Sequence, residues 1–314
     1  MPLLKQIIRK PGQRRRCLQS LKGCCRMNDL IKKFAKFVLA CWVLPVVAVV
    51  ASEPLQVMSF NIRYDNPRDG LDNWKLRATK VASVFEKHEV QIAGLQEVQN
   101  HQLVWLKQAL PKYGFVGVGR DDGKTKGEYA PVVFRKSDFR LVKTETVWLS
   151  ENPREVGSKG WDAALPRIAT FAILEHRVSG DSLLAGSVHY DHVGTLARKN
   201  SGKVIRAFVA QMMEKNDLDG VMLIGDFNCL PESEPYKAIE FGGHLLDSYR
   251  LTEKRTGPNS TWSGFRAVVP NRRIDYIFVN KTLSVNSHLI DPQKIDGRFP
   301  SDHLPVIVNL SVRD

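Results

Sequence analysis

Leu223-Ile224-Gly225-Asp226-Phe227-Asn228 carries a buried-type apolar run into a cluster of polar groups, and Val57-Met58-Ser59-Phe60-Asn61 ends on the same Phe-Asn step. Short runs of Val, Ile, Leu and Met bounded by turn residues read as strands covered on both faces. The polar residue that follows such a run emerges at the rim of a sheet. Two junctions with one ending suggest two related halves whose sheets face each other.

Four more motifs repeat the arrangement: Leu95-Gln96-Glu97-Val98, Ser187-Val188-His189-Tyr190-Asp191, Arg273-Ile274-Asp275-Tyr276 and Phe299-Pro300-Ser301-Asp302-His303-Leu304-Pro305. Each sets a carboxylate, amide or imidazole where an apolar run stops. Asn61, Glu97 and Asp302 offer oxygen donors alone, which suits Mg²⁺ or Mn²⁺ and not Zn²⁺. Asp226 can orient and deprotonate a water. Asn228, one pleat further along, can bind a phosphate oxygen, although the same pair could simply cap the strand as an Asx-turn. A carboxylate at Asp275 bonded to His303 would fix the tautomer and raise the imidazole pKa, giving a cation for a charged transition state. His189 would flank the phosphate from the other side. A single histidine is more often an ordinary polar residue, but Asp191 and His192 cluster with this one.

Between these motifs, strands are expected at 55–61, 91–95, 130–134, 139–149, 167–175, 183–188, 220–225, 274–279 and 306–310. Helices are expected at 74–87, 101–110, 196–213 and 234–241. The alternation indicates an α/β domain, and no Pro/Ser-rich linker divides residues 53–314, so one domain is expected.

The net charge of +13 is misleading as a guide to partners. Residues 1–52 hold eleven Lys/Arg and one acid, a local charge of +10, so the remaining 262 residues carry only +3. A nuclease needs a basic track for its substrate backbone. The only local candidate is Arg198, Lys199, Lys203 and Arg206 on one helix, which reads more simply as a solvated face. Four of the five cysteines, Cys17, Cys24, Cys25 and Cys41, also lie in this leader, leaving Cys229 with no partner for an internal disulfide. The leader resembles a secretion signal from Met27 onward. Lys32, Lys33 and Lys36 form a basic start, residues 37–50 are apolar, and Val49-Val50-Ala51-Ser52 supplies small residues for cleavage before Glu53. Secretion or a periplasmic location is the expectation. A membrane anchor at 37–51 is the alternative, although the run is shorter than the ~20 residues of a spanning helix. Met27 is the expected natural start.

The ordered set of motifs from Leu55 to Leu310 resembles the endonuclease/exonuclease/phosphatase superfamily of metal-dependent phosphoesterases. The resemblance implies a DNase I-like, four-layer α/β sandwich of two facing mixed β-sheets flanked by helices. It further implies Asn61 and Glu97 as holders of Mg²⁺ or Mn²⁺ with Asp302 nearby, and Asp226 as the group that activates water. Asn228 and His189 would contact phosphate, and the Asp275–His303 pair would stabilise the transition state. Asn61-Ile62-Arg63-Tyr64-Asp65-Asn66, Gly119-Arg120-Asp121-Asp122-Gly123, Gly127-Glu128-Tyr129, Gly160-Trp161-Asp162-Ala163-Ala164-Leu165-Pro166-Arg167 and Asp191-His192-Val193-Gly194 resemble a bacterial branch of unassigned substrate. Within them Arg63, Arg120, Arg167 and Trp161 could form a phosphate- and ring-binding rim; surface charge and a packed Trp are the alternatives.

The resulting expectation is a secreted, monomeric Mg²⁺-dependent hydrolase of a phosphomonoester or phosphodiester, with a small or lipid-like substrate favoured over nucleic acid. An extracellular nuclease is the first alternative. A non-catalytic binding module is the second, and the presence of Glu97, Asp226 and His303 argues against it.

Overall fold

A computed structural model describes residues 54–313; the basic leader, its cysteines and the expected cleavage site lie outside the described residues. In the first sheet are β1 (Leu55–Asn61), β2 (Ile92–Gln96), β3 (Tyr113–Val116), β4 (Val132–Arg135), β10 (Arg255–Thr256), β12 (Leu283–Ile290) and β13 (Val306–Val312). The second contains β5 (Phe139–Trp148), β6 (Ile168–His176), β7 (Ser182–His189), β8 (Gly220–Asp226), β9 (Leu246–Asp247) and β11 (Asp275–Val279). The spatial orders are β10-β12-β13-β1-β2-β4-β3 and β5-β6-β7-β8-β11-β9. Both sheets are mixed. At the centre of the first, β1 runs parallel to β2 and antiparallel to β13. At the centre of the second, β8 runs parallel to β7 and antiparallel to β11. The two Phe-Asn junctions therefore leave equivalent positions in two facing sheets.

Alternate side chains of the central strands point to opposite faces, so each sheet has two apolar surfaces to cover. Val57, Ile92 and Val306 of the first sheet meet Ala185, Met222, Ile224 and Ile277 of the second in the core between them. On the outer face of the first sheet, Met58, Phe60 and Leu95 pack against α1 (Trp74–Lys87) and α2 (Asn100–Ala109). On the outer face of the second, Leu184, Leu223 and Phe278 pack with residues of α3 (Thr195–Lys215) and α4 (Glu234–Glu240). The four layers are helix, sheet, sheet, helix. α1 begins at Asn73, whose side chain accepts from Leu76 N–H, and buries Trp74, Ala78, Val81, Val84 and Phe85 along one stripe. Among the described residues no helix is long and apolar enough to cross a membrane.

Gly94 of β2 shows how closely the sheets approach. A Cβ there would lie 2.8 Å from Ile224 Cγ2 of β8, inside any normal contact.

Four strands differ from the sequence reading. β9 and β10 are two-residue pairings, and β3 is a half-buried edge strand. β12 is longer, but Ser284, Asn286, Ser287 and His288 interrupt its apolar pattern; it forms because β13 supplies a continuous pairing edge, with a bulge between Val285 and Ser287.

Candidate active site

Register builds one wall of the site. Asp226, the last residue of β8, is the direct neighbour of His189 on β7 and of Asp275 on β11. Three polar side chains thus stand in a row at one end of the second sheet. Facing them, Asn61 ends β1 opposite Gln96 of β2, and Glu97 follows in a left-handed conformation (φ 61°) that turns the chain out of the strand. His303 lies in the connection from β12 to β13, bridged to Trp262 and stacked edge-on against its ring at 4.9 Å.

The contacts join the two sheets. Asn61 Nδ2 donates to Glu97 Oε1 and to Asp226 Oδ2, both at 3.0 Å. His303 Nδ1 donates to Asp275 Oδ2 at 2.9 Å, and its Nε2 lies 3.8 Å from Asp226 Oδ2. Thr261 Oγ1 accepts from the backbone N–H groups of Ile274 and Asp275, fixing where β11 begins. His189 Nε2 is 3.6 Å from Asp226 Oδ2.

Burial governs the charges. It opposes a cationic His303, but the Asp275 and Asp226 carboxylates outweigh it and push the imidazole up to about 10. Burial, reinforced by Asp275, pushes Asp226 up to about 7. Burial would also raise Glu97, yet His303, the Asn61 amide and Arg63 together hold it below its ordinary range. His189 is driven well below 6.5 by burial and by Arg167 and Arg120, so it is neutral. Neutral His189 and cationic His303 therefore flank one carboxylate.

Two overlapping groups could hold a metal: Glu97, His189 and Asp226, and Asp226, Asp275 and His303, each with its ligand atoms within 4.8 Å of one another. The donors fit a hard divalent ion. Glu97 and Asp226 converge on Asn61 from opposite sheets, and buried Asp275 Oδ1 has no hydrogen-bond partner. Asp302 joins neither group. Its Oδ1 accepts from Ser301 Oγ, but it faces the same guanidinium as Glu97: Asp302 Oδ2 lies 3.8 Å from Arg63 Nε, and Glu97 Oε2 lies 3.8 Å from Arg63 Nη1. Asn61 also turns its Oδ1 to Arg63 N–H and its amino group to the two acids.

The open side is a pocket of about 480 Å³ whose wall includes Arg63, Glu97, Arg167, His189, Asp226, Asn228 and His303. Arg167 donates to Asp191 (3.3 Å) and lies 2.8 Å from His192 Nδ1, with Nη1 3.1 Å from His189 Nδ1. Asn228 reaches the pocket differently from expected. It lies past the strand in a left-handed turn (φ 46°), its N–H donating to Asp226 Oδ1 and its Nδ2 to Tyr190 O. The Asx-turn and the pocket position coexist. Arg120 and Trp161 are not part of this wall. Arg120 is held by both oxygens of Glu128, at 2.6 and 3.1 Å, and Trp161 N–H faces Glu151. Glu128, Trp262, Arg272, Tyr64 and Leu165 line the pocket without having been singled out. They come from loops whose placement no periodicity encodes.

Arg77 was also missed. Its guanidinium, 2 % exposed, donates to the carbonyls of Ile62, Arg63, Tyr64, Asp72 and Pro300, tying the exits of β1 and of the 300 loop together behind the site.

Residues 58–303 match the Endonuclease/Exonuclease/phosphatase family. Three similar solved structures come from Bacteroides. One is an endonuclease/exonuclease/phosphatase from Bacteroides vulgatus, 37% identical, covering 83% of this chain and 100% of that one with a TM-score of 0.79. Another is a family protein from Bacteroides thetaiotaomicron, 36% identical over 84% and 97% of the two chains, TM-score 0.80. The third is a mannosyl-6-phosphatase from Bacteroides thetaiotaomicron, 36% identical over 82% and 99%, TM-score 0.78. Human nocturnin, at 20% identity over 84% and 95% with a TM-score of 0.67, shares the fold. No curated protein matches the chain.

Proposed function

We propose, from the premise that this chain belongs to the endonuclease/exonuclease/phosphatase family, that it hydrolyses the phosphomonoester of a small polar molecule, a sugar phosphate in the first instance. The observation that carries this reading is the buried row His189–Asp226–Asp275, closed by His303 and facing Glu97 across the gap between the sheets.

Asn61 and Glu97, with Asp302 nearby, would hold Mg²⁺ or Mn²⁺, which when bound would neutralise phosphate charge and polarise the phosphoryl oxygen. The chain's own residues do the rest. Asp226 orients the attacking water and accepts its proton as the new P–O bond forms and the ester bond breaks in line, the departing alkoxide taking a proton from solvent water. Cationic His303 stabilises the charge that grows on the phosphoryl oxygens, and Asp275 keeps it charged and fixes its orientation. Arg167 and Arg63 supply positive walls, and Asn228 and neutral His189 supply hydrogen bonds.

The substrate class rests on three supports. The mannosyl-6-phosphatase is 36% identical across nearly the whole described domain. The pocket is small and walled. The basic stripe of α3 is largely engaged, with Lys199 paired to Glu234, Arg198 donating to Asp191 O and Arg206 to Phe241 O, and Lys203 alone is a poor nucleic-acid track. We further propose that residues 27–52 direct export, which sequencing the mature N-terminus would test.

The functional test is a panel of sugar phosphates, nucleotides, phospholipids and DNA offered to the purified protein with Mg²⁺. Release of phosphate from a sugar phosphate, lost on chelation and in His303→Ala, is expected. Activity surviving both treatments would refute the mechanism, and a preference for DNA would refute the substrate class.

A further inference from the structure

Glu128 has no obvious place in phosphate chemistry, since a carboxylate repels the phosphoryl group, yet it lines the reaction pocket. Its position is built by the loop from Gly119 to Tyr129. Gly119, Arg120 and Asp121 donate their N–H groups to the carbonyls of Lys124, Glu128 and Lys126, folding the loop back on itself. Gly127 allows the return: its φ is 79°, and a Cβ would meet the Asp121 carboxylate at 2.6 Å. Trp148 Nε1 donates to Arg120 O at 2.6 Å and pins the loop to β5.

Glu128 is thereby set between two hollows. On one side its Oε2 lies 3.7 Å from His189 Nδ1 and 3.9 Å from Arg167 Nη1, in the reaction pocket. On the other it lines a separate hollow of about 270 Å³ with Gln99, Asn100, His101, Arg120 and Thr125. This second lining is polar throughout. The side-chain oxygens of Gln99 and Asn100 accept from Asp65 N–H and the Tyr129 hydroxyl, leaving their amide nitrogens as donors. Arg120, 7 % exposed, holds Glu128 in place through both of its terminal nitrogens, and its Nε lies 3.8 Å from the Asp121 carboxylate.

We propose that Glu128 and this hollow form a subsite for the hydroxyl groups of a polyol phosphate, with Glu128 accepting from hydroxyls next to the phosphate and Gln99 and Asn100 donating to those further out. The inference rests on the phosphoesterase reading and names the residues that would read the alcohol part of its substrate. A carboxylate facing hydroxyls discriminates strongly, because an ester lacking them leaves the buried polar groups unpaired. Arg120 acts through Glu128 and is a positioning residue.

The test compares glucose 6-phosphate with p-nitrophenyl phosphate, which has no hydroxyls to read. Glu128→Gln should raise KM for glucose 6-phosphate at least tenfold. Thr125→Trp, at an exposed position on the lip of the hollow, should raise the same KM about tenfold without disturbing the Arg120 pair, while leaving p-nitrophenyl phosphate turnover within threefold. Equal losses on both esters in Thr125→Trp, or no loss on glucose 6-phosphate in both variants, would overturn the subsite. Should the wild type hydrolyse neither ester, the phosphoesterase reading fails and calorimetry decides the subsite by itself. Glucose 6-phosphate binding that Thr125→Trp weakens tenfold supports it, and no binding overturns it.

Discussion

Arg77 offers a test in which two large terms nearly cancel, so the outcome depends on which substitution is made. Its guanidinium serves five carbonyls, of which Arg63 O keeps a second donor in Gln102 Nε2 at 3.0 Å. Arg77→Met therefore removes the donor from Ile62, Tyr64, Asp72 and Pro300. A buried carbonyl left unpaired costs about 1 kcal/mol at the low end, hence about 4 kcal/mol in all. Burying the cation is itself unfavourable. Burial pulls Arg77 down from 12.5 to about 10 despite the carboxylates of Asp302, Asp69 and Glu97, a difference worth about 3 kcal/mol. Methionine returns that cost and fills much of the same volume, so the net loss is about 1 kcal/mol. Lysine keeps the charge buried and has at most three donors on one atom. It recovers nothing, and because its one nitrogen can take the place of only one guanidinium nitrogen it abandons at least two of those four carbonyls, a loss of about 2–3 kcal/mol. The conservative replacement should be the worse one. Urea unfolding followed by tryptophan fluorescence would rank wild type above Arg77→Met above Arg77→Lys. Both variants should lose about tenfold or more in kcat, because the released carbonyls belong to the segments next to Asn61 and Asp302. If lysine is the milder change, carbonyl satisfaction does not dominate at this position and the reasoning fails.

Other perturbations separate chemistry from packing. Asp275→Asn should lower kcat by about 100-fold or more with KM nearly unchanged, since it weakens an imidazolium needed only in the transition state; a loss below fivefold would remove Asp275 from the mechanism. Gly94→Val should cost about 2–3 kcal/mol by wedging β2 away from Ile224, and a stability equal to wild type would show that the sheets can part. His288, buried on β12 with Nδ1 3.1 Å from Ser248 Oγ, is lowered to about 3 by burial and by Arg273 and Arg255. Below 6.5 the unfolded chain takes up a proton that the fold refuses until the pH nears 3. Stability is thus full above 6.5 and falls by about 1.4 kcal/mol per pH unit on the way down, about 2 kcal/mol at pH 5. His288→Asn should remove most of that difference between pH 7 and pH 5; an unchanged slope would place the acid sensitivity elsewhere.

What the sequence disclosed follows from where order is encoded. β1, β2, β7 and β8 were readable because burial on both faces demands continuous apolar runs, and their last residues were readable because polarity begins where burial ends. β12 was not, because its polar residues are tolerated only by pairing with β13, a tertiary fact. Asn228 lies beyond the last pleat, and the left-handed turn after Asp226, which no periodicity encodes, delivers it to the pocket. The pairing of Arg120 is hidden because its partner lies eight residues away across a fold-back loop. The opposite charges of Arg120 and Glu128 around Asp121-Asp122-Gly123 were the available signal. Trp262 and Arg272 carried none, since their places depend on the bridge to His303 and on Thr261.

The chemistry belongs to the gap between the sheets more than to either sheet. Asn61 and Glu97 come from one, while His189, Asp226 and Asp275 come from the other. His303 extends from the first sheet's β12–β13 connection to bond the second. Two of the short contacts that set the charges, Asn61 to Asp226 and His303 to Asp275, cross that gap. The distance between sheets is fixed in turn by small residues such as Gly94 under Ile224, in a core of close-packed side chains with little compressibility. A substitution that separates the layers by even one methyl group should lengthen both bonds at once. His303 would then lose the carboxylates that keep it charged, and Asp226 the amide it shares with Glu97. Packing far from the pocket is therefore a determinant of the contacts that the proposed mechanism uses.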